Sequence, residues 1–402
     1  MYEYKLLLQS EPILRRLSFI QLIAYFGAWF SNVAIYTLLI KMNVSADVVA
    51  FVAMLHFVSG VIQAPFSGSI IDKFQIKKLM LFLILIEIFA TLGLILIDEI
   101  TDLYFLYVLI FFKMAAASFY FTAEMSLLPK LLDGKKLQKA NELHSIIWSL
   151  SYTLGMAISG FIVYAFGVKI AFLLDAMMFI IAFTLLYKIE IIVALNSQAE
   201  KLLDMMKETF IYLRSKPIAV HLMIMHAFVG LTAFDALIAL MVDKYYAGIV
   251  ATSLALGLLH SARALGLVIG PMILGKWINN KRLIYVFIFQ AIAVYIWAFV
   301  MKNFYLSLFV SIFVGFFTTT LWSYTYTLLQ KNIEEKYYGR IVAYNDMLFL
   351  STAAFTSFMI GFLAVNNFTL EDITNCIATG FFFGAVYYVW IFKTKKLQEV
   401  SS

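Results

Sequence analysis

The chain has 402 residues, of which 63% are hydrophobic and only 13% are charged, and its formal net charge is +6. Soluble domains hold about 45–50% apolar and about 25% charged residues, so this chain cannot hide its apolar side chains in one aqueous globule. The composition excludes a single soluble domain and favours a protein embedded in a lipid bilayer.

Twelve apolar segments, separated by polar breaks, reach the length of about 20 residues that a helix needs to cross the bilayer core. In chain order they are 17–40, 46–70, 79–97, 103–127, 140–165, 168–188, 218–243, 250–275, 283–301, 304–329, 340–365 and 374–392. They lack the strict alternation of barrel strands, so helices must satisfy their backbone hydrogen bonds in lipid. The sequence predicts an all-α membrane protein with twelve transmembrane helices.

Lysine and arginine are distributed unevenly between the two sides of these predicted spans. Of the 30 such residues, 24 fall on the side that holds both termini, four on the opposite side and two inside spans. Basic loops face the cytoplasm in membrane proteins, so both termini are predicted to be cytoplasmic. The same loops explain the net positive charge, and we expect no nucleic-acid partner.

The longest polar connection, residues 189–217, divides the chain into two halves of six predicted helices each, 1–188 and 218–402. One side of this connection is apolar at helical spacing, through Leu202, Met206, Phe210 and Leu213. This pattern predicts an amphipathic helix along the cytoplasmic membrane surface, in a linker and not in a separate domain.

The cytoplasmic turn between the second and third spans combines one acid with several lysines, in SGSIIDKFQIKKLML (67–81). The equivalent turn in the second half, GKWINNKRL (275–283), aligns Asn279 with Asp72 when the glycines are superposed. Matching turns in two halves indicate an internal repeat, which is a common construction of secondary transporters.

The first of these turns resembles the signature of the major facilitator superfamily, Gly-x-Leu-Ala-Asp-Arg-x-Gly-Arg-Lys. The matching positions are Gly68, Ile70, Asp72, Lys73 and Lys77. The resemblance implies two six-helix halves that rock to give alternating access to a small-molecule substrate, with no cofactor. It also implies that these residues form a latch that stabilises the outward-facing state.

The latch has a physical basis and an alternative. Asp72 can cap a neighbouring helix N-terminus or pair with a lysine in one conformation and lose that contact in another. The alternative is that Lys73 and Lys77 only set the topology. Glu124, near the cytoplasmic end of the fourth span, is predicted to pair with a lysine of the 72–78 turn, with a substrate contact as its alternative.

Three longer stretches, 126–145, 154–180 and 328–344, resemble the drug and siderophore exporter branch of that superfamily, which includes the macrolide efflux and enterobactin exporters. Within the second stretch, Gly155 and Gly160 match part of the antiporter signature of the fifth span. Small residues at these positions also permit close helix packing without any role in antiport. Both interpretations remain open at this point.

Ionisable residues inside spans are costly in lipid, so each is a candidate for function. Lys113, in the middle of the fourth span, ranks first because spans 1, 4, 7 and 10 line the central cavity in the resembled superfamily. Asp235 in the seventh span and Arg263 in the eighth suggest an ion pair, either structural or proton-coupling. Asp235 ranks second as a proton carrier.

Three further residues inside spans can titrate. His56 and Glu87 are lower-ranked proton candidates, because a lone histidine is more often a packing residue and the third span is usually peripheral in the resembled superfamily. For Asp175, in the sixth span, we predict a structural role.

Aromatic residues make up 17% of the chain and recur in the spans expected to line the cavity. Tyr25 and Trp29 lie in the first span, Trp322 and Tyr326 in the tenth, and Asn32 offers a polar contact beside the first pair. A cavity lined in this way suits aromatic or amphipathic substrates. Lipid-facing rings and interfacial belts are the alternative explanation.

Together these features predict a proton-coupled exporter of small hydrophobic or amphipathic molecules, monomeric, in the bacterial inner membrane. Uptake of a nutrient or metabolite is the alternative, and a non-transporting receptor or lipid-handling protein is a third hypothesis. Enzymatic motifs, metal-ligand spacings and nucleotide-binding loops are absent from the sequence, and Cys376 is the single cysteine. We therefore expect no enzyme activity, metal or cofactor.

Overall fold

The computed structural model describes residues 2–132, 134–191, 202–334, 337–395 and 397, and all regular structure in these ranges is helical. The α-helices are α1 (Tyr2–Ser10), α2 (Pro12–Lys41), α3 (Ala46–Lys73), α4 (Ile76–Leu94), α5 (Leu103–Leu131), α6 (Gly134–Phe166), α7 (Val168–Tyr187), α8 (Leu202–Ser215), α9 (Pro217–Ala227), α10 (Asp235–Tyr245), α11 (Thr252–Leu274), α12 (Leu283–Val300), α13 (Phe304–Asn332), α14 (Tyr338–Val365) and α15 (Leu370–Thr394).

The prediction of an all-helical membrane protein is confirmed. Within the described ranges, eleven helical segments are long and apolar enough to cross a bilayer, and they coincide with eleven of the twelve predicted spans. The remaining span, 79–97, coincides with α4, whose 19 residues carry Lys77, Lys78 and Glu87. The two lysines lie in the first turn, where such side chains reach the membrane interface.

The seventh predicted span, 218–243, is not one helix. It consists of α9, a 3-10 segment over Phe228–Thr232, and α10, with Ala233 and Phe234 between the last two. Close packing accompanies this break: a Cβ on Gly230 would lie 2.7 Å from the carbonyl oxygen of Phe349 in α14. A glycine is needed for so close an approach between two backbones.

The chain divides into two compact units. The first comprises Met1–Met42 and Phe66–Ala199, and the second comprises Asn43–Pro65 and Glu200–Ser402. The first part of α3 therefore packs with the second unit, although the sequence division at 189–217 placed it in the first half. The reason is a close contact in which Gly361 of α14 leaves room for Ala50 of α3.

In the first unit, α2 packs against α6 and α7, while α4 packs against α5 and α7. The contact between α2 and α6 depends on a glycine, because a Cβ on Gly155 would lie 2.8 Å from Cδ1 of Trp29. Ser159, one turn further along α6, donates a hydrogen bond of 3.3 Å to the carbonyl of Phe30. Small residues at this interface let the two backbones approach, as is common between helices in membranes.

In the second unit, α11 packs extensively against α13. A Cβ added to Gly266 or Gly270 would overlap backbone atoms of α13, and a Cβ added to Gly315 would overlap the carbonyl of Arg263. The spacing of Gly266 and Gly270 is the GxxxG pattern of close helix contacts. Glycines on both helices therefore let α11 and α13 pack backbone against backbone.

The amphipathic helix predicted in the connection corresponds to α8. Its Phe210 is 69% exposed, whereas Tyr212 is buried and stacks on Tyr337 with ring centroids 4.0 Å apart. Glu208 also pairs with Arg340, at 2.6 Å between Oε2 and Nη1. These contacts attach α8 to the turn before α14 and leave Phe210, one member of the predicted apolar stripe, uncovered.

Candidate functional site

Three ionisable side chains are buried together inside the first unit. Lys113 of α5, Asp175 of α7 and Glu87 of α4 are 1%, 0% and 4% exposed. The ammonium of Lys113 lies 2.9 Å from Oδ2 of Asp175. Glu87 lies one helical turn before Thr91 of α4, whose hydroxyl accepts a hydrogen bond from Lys113. We call Lys113, Asp175 and Glu87 the buried charge cluster.

Polar and aromatic groups surround the ion pair. Lys113 donates a second hydrogen bond, of 2.6 Å, to the hydroxyl of Thr91, and its ammonium lies 4.6 Å from the ring centroid of Phe179. Ser31 of α2 donates a hydrogen bond to Oδ2 of Asp175. Buried charges persist when they are paired and hydrogen-bonded in this way, because desolvation otherwise makes them very costly.

One oxygen of the ion pair remains unused. Among the described residues, Oδ1 of Asp175 has no hydrogen-bond partner. A Cβ on Gly27 would lie 2.9 Å from this oxygen, so α2 passes directly over the carboxylate because it has a glycine there. Asp175 can therefore accept one more hydrogen bond from a water, a proton-carrying group or a substrate.

The buried charge cluster has an odd charge balance, since one ammonium faces two carboxyl groups. If Asp175 and Glu87 were both ionised, the cluster would carry a net charge of −1 in a low-dielectric interior, which is unfavourable. One bound proton makes the cluster neutral. The arrangement is therefore chemically suited to hold and release a single proton.

The cluster brings together residues that the sequence ranked differently. Lys113 was the leading candidate and Glu87 a minor one, and they share one site because α4 packs against both α5 and α7. Asp175, for which the sequence predicted a structural role, is the direct partner of Lys113. The signal for it was an acid in the middle of the apolar stretch FLLDAMMF.

In the second unit, the expected ion pair between Asp235 and Arg263 is replaced by other contacts. Arg263 donates a hydrogen bond of 2.9 Å to the carbonyl of Thr232, and its guanidinium carbon lies 5.2 Å from the ring centroid of Phe234. Asp235 instead lies near His260, with 4.0 Å between Oδ1 and Nε2. The break before α10 takes the Thr232 carbonyl out of the α-helical pattern, so it accepts hydrogen bonds from the Phe234 N–H and from Arg263.

His226 of α9 is a buried polar residue that the sequence did not single out. Its Nδ1 lies 2.9 Å from the hydroxyl of Thr325, which itself donates a 2.7 Å hydrogen bond to the carbonyl of Leu321. Because the Thr325 hydroxyl donates its proton to the Leu321 carbonyl, it can only accept from the imidazole, and we assign the imidazole proton to Nδ1. Nε2 is then a bare acceptor, and it has no partner among the described residues.

Aromatic rings enclose this histidine. Trp322 and Tyr326 stack on each other with centroids 5.1 Å apart, and both rings lie within 6 Å of the imidazole, at 5.7 and 5.4 Å. Phe349 closes a third side at 5.7 Å. Trp322 and Tyr326, the two aromatic residues predicted in the tenth span, thus lie around a hydrogen-bond acceptor. The sequence feature that indicates this acceptor is the histidine at position 226, within the predicted seventh span.

The aromatics predicted in the first span pack within the first unit. Trp29 lies 4.4 Å from Tyr152 between ring centroids, and Tyr25 makes an edge contact with His144 at 6.0 Å. Beside them, Oδ1 of Asn32 is buried without a partner among the described residues.

His56 makes a local contact, with its Nδ1 2.8 Å from the carbonyl of Val52 one turn earlier. That bond fits the packing role which the sequence analysis gave as more common for a lone histidine. Gly160, the second glycine of the predicted signature, is buried in α6.

The predicted latch residues are described in part. Gly68 and Asp72 lie in α3, but the side chain of Asp72 is outside the described residues. Lys73 is exposed, and Lys77 donates a hydrogen bond of 2.9 Å to the carbonyl of Tyr187 at the end of α7. Lys77 therefore connects α4 to α7.

The lysine partner expected for Glu124 is not found among the described side chains. The carboxyl group of Glu124 is buried, and its Oε2 has no hydrogen-bond partner there. Lys77 is directed to α7, which removes one of the lysines that the sequence offered to Glu124.

Residues 17–357 match the sequence pattern of the Major Facilitator Superfamily. The chain belongs to this superfamily. The chain is 27% identical over 184 residues to a curated relative, the uncharacterized MFS-type transporter YfiS of Bacillus subtilis (strain 168). The aligned stretch covers 46% of this chain and 43% of YfiS, so the chain matches less than half of the length of that relative.

Solved structures share the fold of this superfamily member over nearly its whole length. A D-xylose-proton symporter superposes with a TM-score of 0.76 at 10% identity, covering 96% of this chain and 98% of its own. A bacterial homologue of the human lysosomal transporter Spinster gives 0.71 at 13% identity, covering 95% and 96%. The nucleoside transporter NupG gives 0.68 at 14% identity, covering 95% and 99%. The chain is a multi-pass membrane protein of the Major Facilitator Superfamily.

Proposed function

We propose that this transporter is a proton-coupled exporter of small hydrophobic or amphipathic molecules, acting by alternating access in the bacterial inner membrane. The buried charge cluster carries the proposal. Lys113, Asp175 and Glu87 hold one carboxyl group in excess of the basic groups, and Glu87 is the member without a direct ion pair. Glu87 is therefore assigned as the group that binds and releases the transported proton.

The cluster can couple this proton to a change of conformation through its hydrogen bonds. Asp175 is held by Lys113 from α5 and Ser31 from α2, while Glu87 belongs to α4. Adding or removing a proton on Glu87 changes the net charge of the cluster by one, and α2, α4, α5 and α7, which carry these side chains, must adjust to solvate that change. A structural ion pair alone would not need the third ionisable group.

Substrate recognition is assigned to the aromatic site in the second unit. Trp322 and Tyr326 offer flat apolar faces, and Nε2 of His226 offers a hydrogen-bond acceptor. A planar molecule with one N–H or O–H donor satisfies both features. This set of contacts supports amphipathic aromatic compounds over sugars, which would need more polar partners.

Asp235 and His260 lie 4.0 Å apart at the break before α10 and are a second candidate site for the proton. The latch residues of the α3–α4 turn are proposed to stabilise the outward-facing state from the cytoplasmic end. Uptake remains the competing direction of transport. One solved structure with the same fold is a D-xylose-proton symporter, and a symporter would use the same buried proton site with the opposite substrate flux.

The test uses everted membrane vesicles in which respiration makes the interior acidic and a fluorescent dye reports the pH gradient. Adding amphipathic aromatic compounds should release protons from vesicles that contain the protein. The release should be lost with Glu87→Gln and Lys113→Ala. It should persist with Asp98→Asn, which removes the carboxylate of an exposed Lys–Asp pair in the same unit.

The directions of flux separate the two hypotheses. Compound-dependent proton release with accumulation of the compound inside everted vesicles supports export. Accumulation of a labelled solute by whole cells, dependent on the protein and on Glu87, would replace export with uptake. Unchanged proton release in the Glu87→Gln variant would remove the buried charge cluster from the mechanism.

A further inference from the structure

A groove of about 500 Å³ opens on the first unit where α1, the start of α2 and the first half of α6 meet. Its apolar wall contains Leu8, Leu143 and Ile146, and its basic side chains are Lys5 and Arg15. The side chains that line it include no acid. An occupant should therefore combine a negative charge with an apolar part.

The groove is held open by a fixed arrangement of helices. Leu7 and Leu14 are buried in a small apolar cluster with Leu128 of α5. The hydroxyl of Tyr4 donates a hydrogen bond of 2.9 Å to Glu142 in α6. These contacts fix α1 against α6, so the groove exists before anything binds in it.

The two basic side chains of the groove differ from the basic residues next to them. Lys136 forms an ion pair of 2.7 Å with Glu11, and Lys139 lies 6.0 Å above the ring of Tyr4. Lys5 and Arg15 are exposed and have no hydrogen-bond or ion-pair partner among the side chains that the structure describes. Their charges are available to an anion.

The position of the groove along the helices places it at a membrane interface. Arg15 lies near the start of α2, two residues before its apolar part begins at Leu17, and Ile146, which is 47% exposed, begins the apolar part of α6. Basic residues at the end of a transmembrane helix lie at the level of lipid headgroups, while the apolar residues beyond them face acyl chains. The groove therefore spans both levels.

We propose that this groove binds an anionic phospholipid of the adjacent leaflet. Lys5 and Arg15 hold the phosphate, and an acyl chain lies on Leu8, Leu143 and Ile146. A lipid with a choline or ethanolamine headgroup brings a second, positive charge, and the lining offers no acid to receive it. Anionic headgroups are favoured for this reason.

The experiment measures lipid binding to the full-length protein in detergent by native mass spectrometry. Phosphatidylglycerol and phosphatidylcholine with the same acyl chains are titrated separately, and glycerol phosphate is added as a headgroup without chains. We expect phosphatidylglycerol to bind more tightly than phosphatidylcholine. Removing both charges with Lys5→Gln and Arg15→Gln should weaken its binding about 30-fold, roughly fivefold for each cation.

Matched controls keep the result specific. Arg16→Gln and Lys135→Gln remove two exposed charges of the same region that do not line the groove, and they should leave binding unchanged. Ile146→Ser tests the apolar wall without altering charge and should also weaken binding. Melting temperatures without added lipid verify that the variants fold, and a variant that melts early is replaced by Arg15→Gln alone.

Three results would overturn the proposal. Equal loss of binding in the control pair would mean that general surface charge attracts the lipid. Equal affinity for phosphatidylcholine would remove the role of the unpaired cations. Full displacement of the lipid by glycerol phosphate, together with unchanged lipid binding in the Ile146→Ser variant, would mean that the groove binds a free phosphate and not a lipid.

Discussion

Lys113 and Asp175 form an ion pair of 2.9 Å in which both side chains are enclosed, with side-chain exposures of 2% and 0%. The pair joins α5 to α7, and hydrogen bonds to Thr91 of α4 and from Ser31 of α2 complete its surroundings. Removing one partner of such a pair leaves an uncompensated charge, whereas replacing both by apolar groups need not destabilise the protein. This asymmetry gives a test that separates structural from functional roles.

Asp175→Asn should lower the stability of the first unit by about 3–5 kcal/mol, because the ammonium of Lys113 then lacks its counter-charge. The double variant Lys113→Met with Asp175→Leu should regain most of the melting temperature in detergent but no proton coupling. Lys169→Ala, in the exposed pair with Asp98, should cost less than about 1 kcal/mol. Recovery of coupling in the double variant would show that the pair is only structural.

Glu87→Gln should have the opposite profile. The amide replaces the carboxyl group at nearly constant shape and leaves the Lys113–Asp175 pair intact, so the melting temperature should change little. Proton release by compounds in everted vesicles should fall to the level of vesicles without the protein, while binding of the compounds persists. If proton release survives at full amplitude, another group carries the proton, and Asp235 is the next to test by Asp235→Asn.

His226→Phe should weaken the binding of compounds that carry a hydrogen-bond donor, because the ring remains but the Nε2 acceptor is lost. An unmet hydrogen bond in a buried site costs about 1–3 kcal/mol, so the dissociation constant should rise about tenfold or more. Compounds of the same shape without the donor should bind unchanged. Fluorescence titration of the purified protein measures both series.

The control for His226→Phe is a second histidine of α9. His221 of α9 is half-exposed, and its Nδ1 lies 2.7 Å from the hydroxyl of Tyr387. His221→Phe removes an imidazole from α9 without altering the contacts of Trp322 and Tyr326. Equal loss of binding in the two variants would contradict recognition through His226.

Gly315→Ala should prevent normal packing of the second unit, since the added methyl group would overlap the carbonyl of Arg263 in α11. Overpacking of a tight contact typically costs 1–3 kcal/mol or more. Gly339→Ala is the matched control, because a Cβ there would meet no atom within 4 Å. The folded fraction after heating, measured by size-exclusion chromatography, should fall for Gly315→Ala and be maintained for the control.

The order and type of the helices could be predicted because a bilayer demands about 20 apolar residues for each span, and length is visible in a sequence. The break at Ala233 and Phe234 could not, since residues 228–234 are as apolar as their surroundings and the interruption depends on packing against α14. Tertiary contacts decided the backbone conformation there.

The candidate site was predictable only as a set of unconnected residues. Lys113 and Glu87 stand out because charges are rare in apolar spans. Their common site depends on which faces of α4, α5 and α7 meet, and a sequence without tertiary contacts does not contain the rotation of each helix. For this reason the sequence did not group Asp175 with Lys113 and Glu87. It did not indicate His226 either, because the free acceptor at Nε2 depends on the hydrogen bond between Nδ1 and Thr325, which is a tertiary contact.

The break in the seventh span has a mechanical consequence. In a continuous helix the ladder of α-helical hydrogen bonds carries torsion from one end to the other, but here it is interrupted between Thr232 and Asp235, where Ala233 and Phe234 donate shorter-range bonds to Gly230 and Thr232. The junction is instead held from the side by Arg263 of α11. A twist of α9 is therefore transmitted to α10 less completely than along one continuous helix, and the hydrogen bond from Arg263 ties the junction to α11.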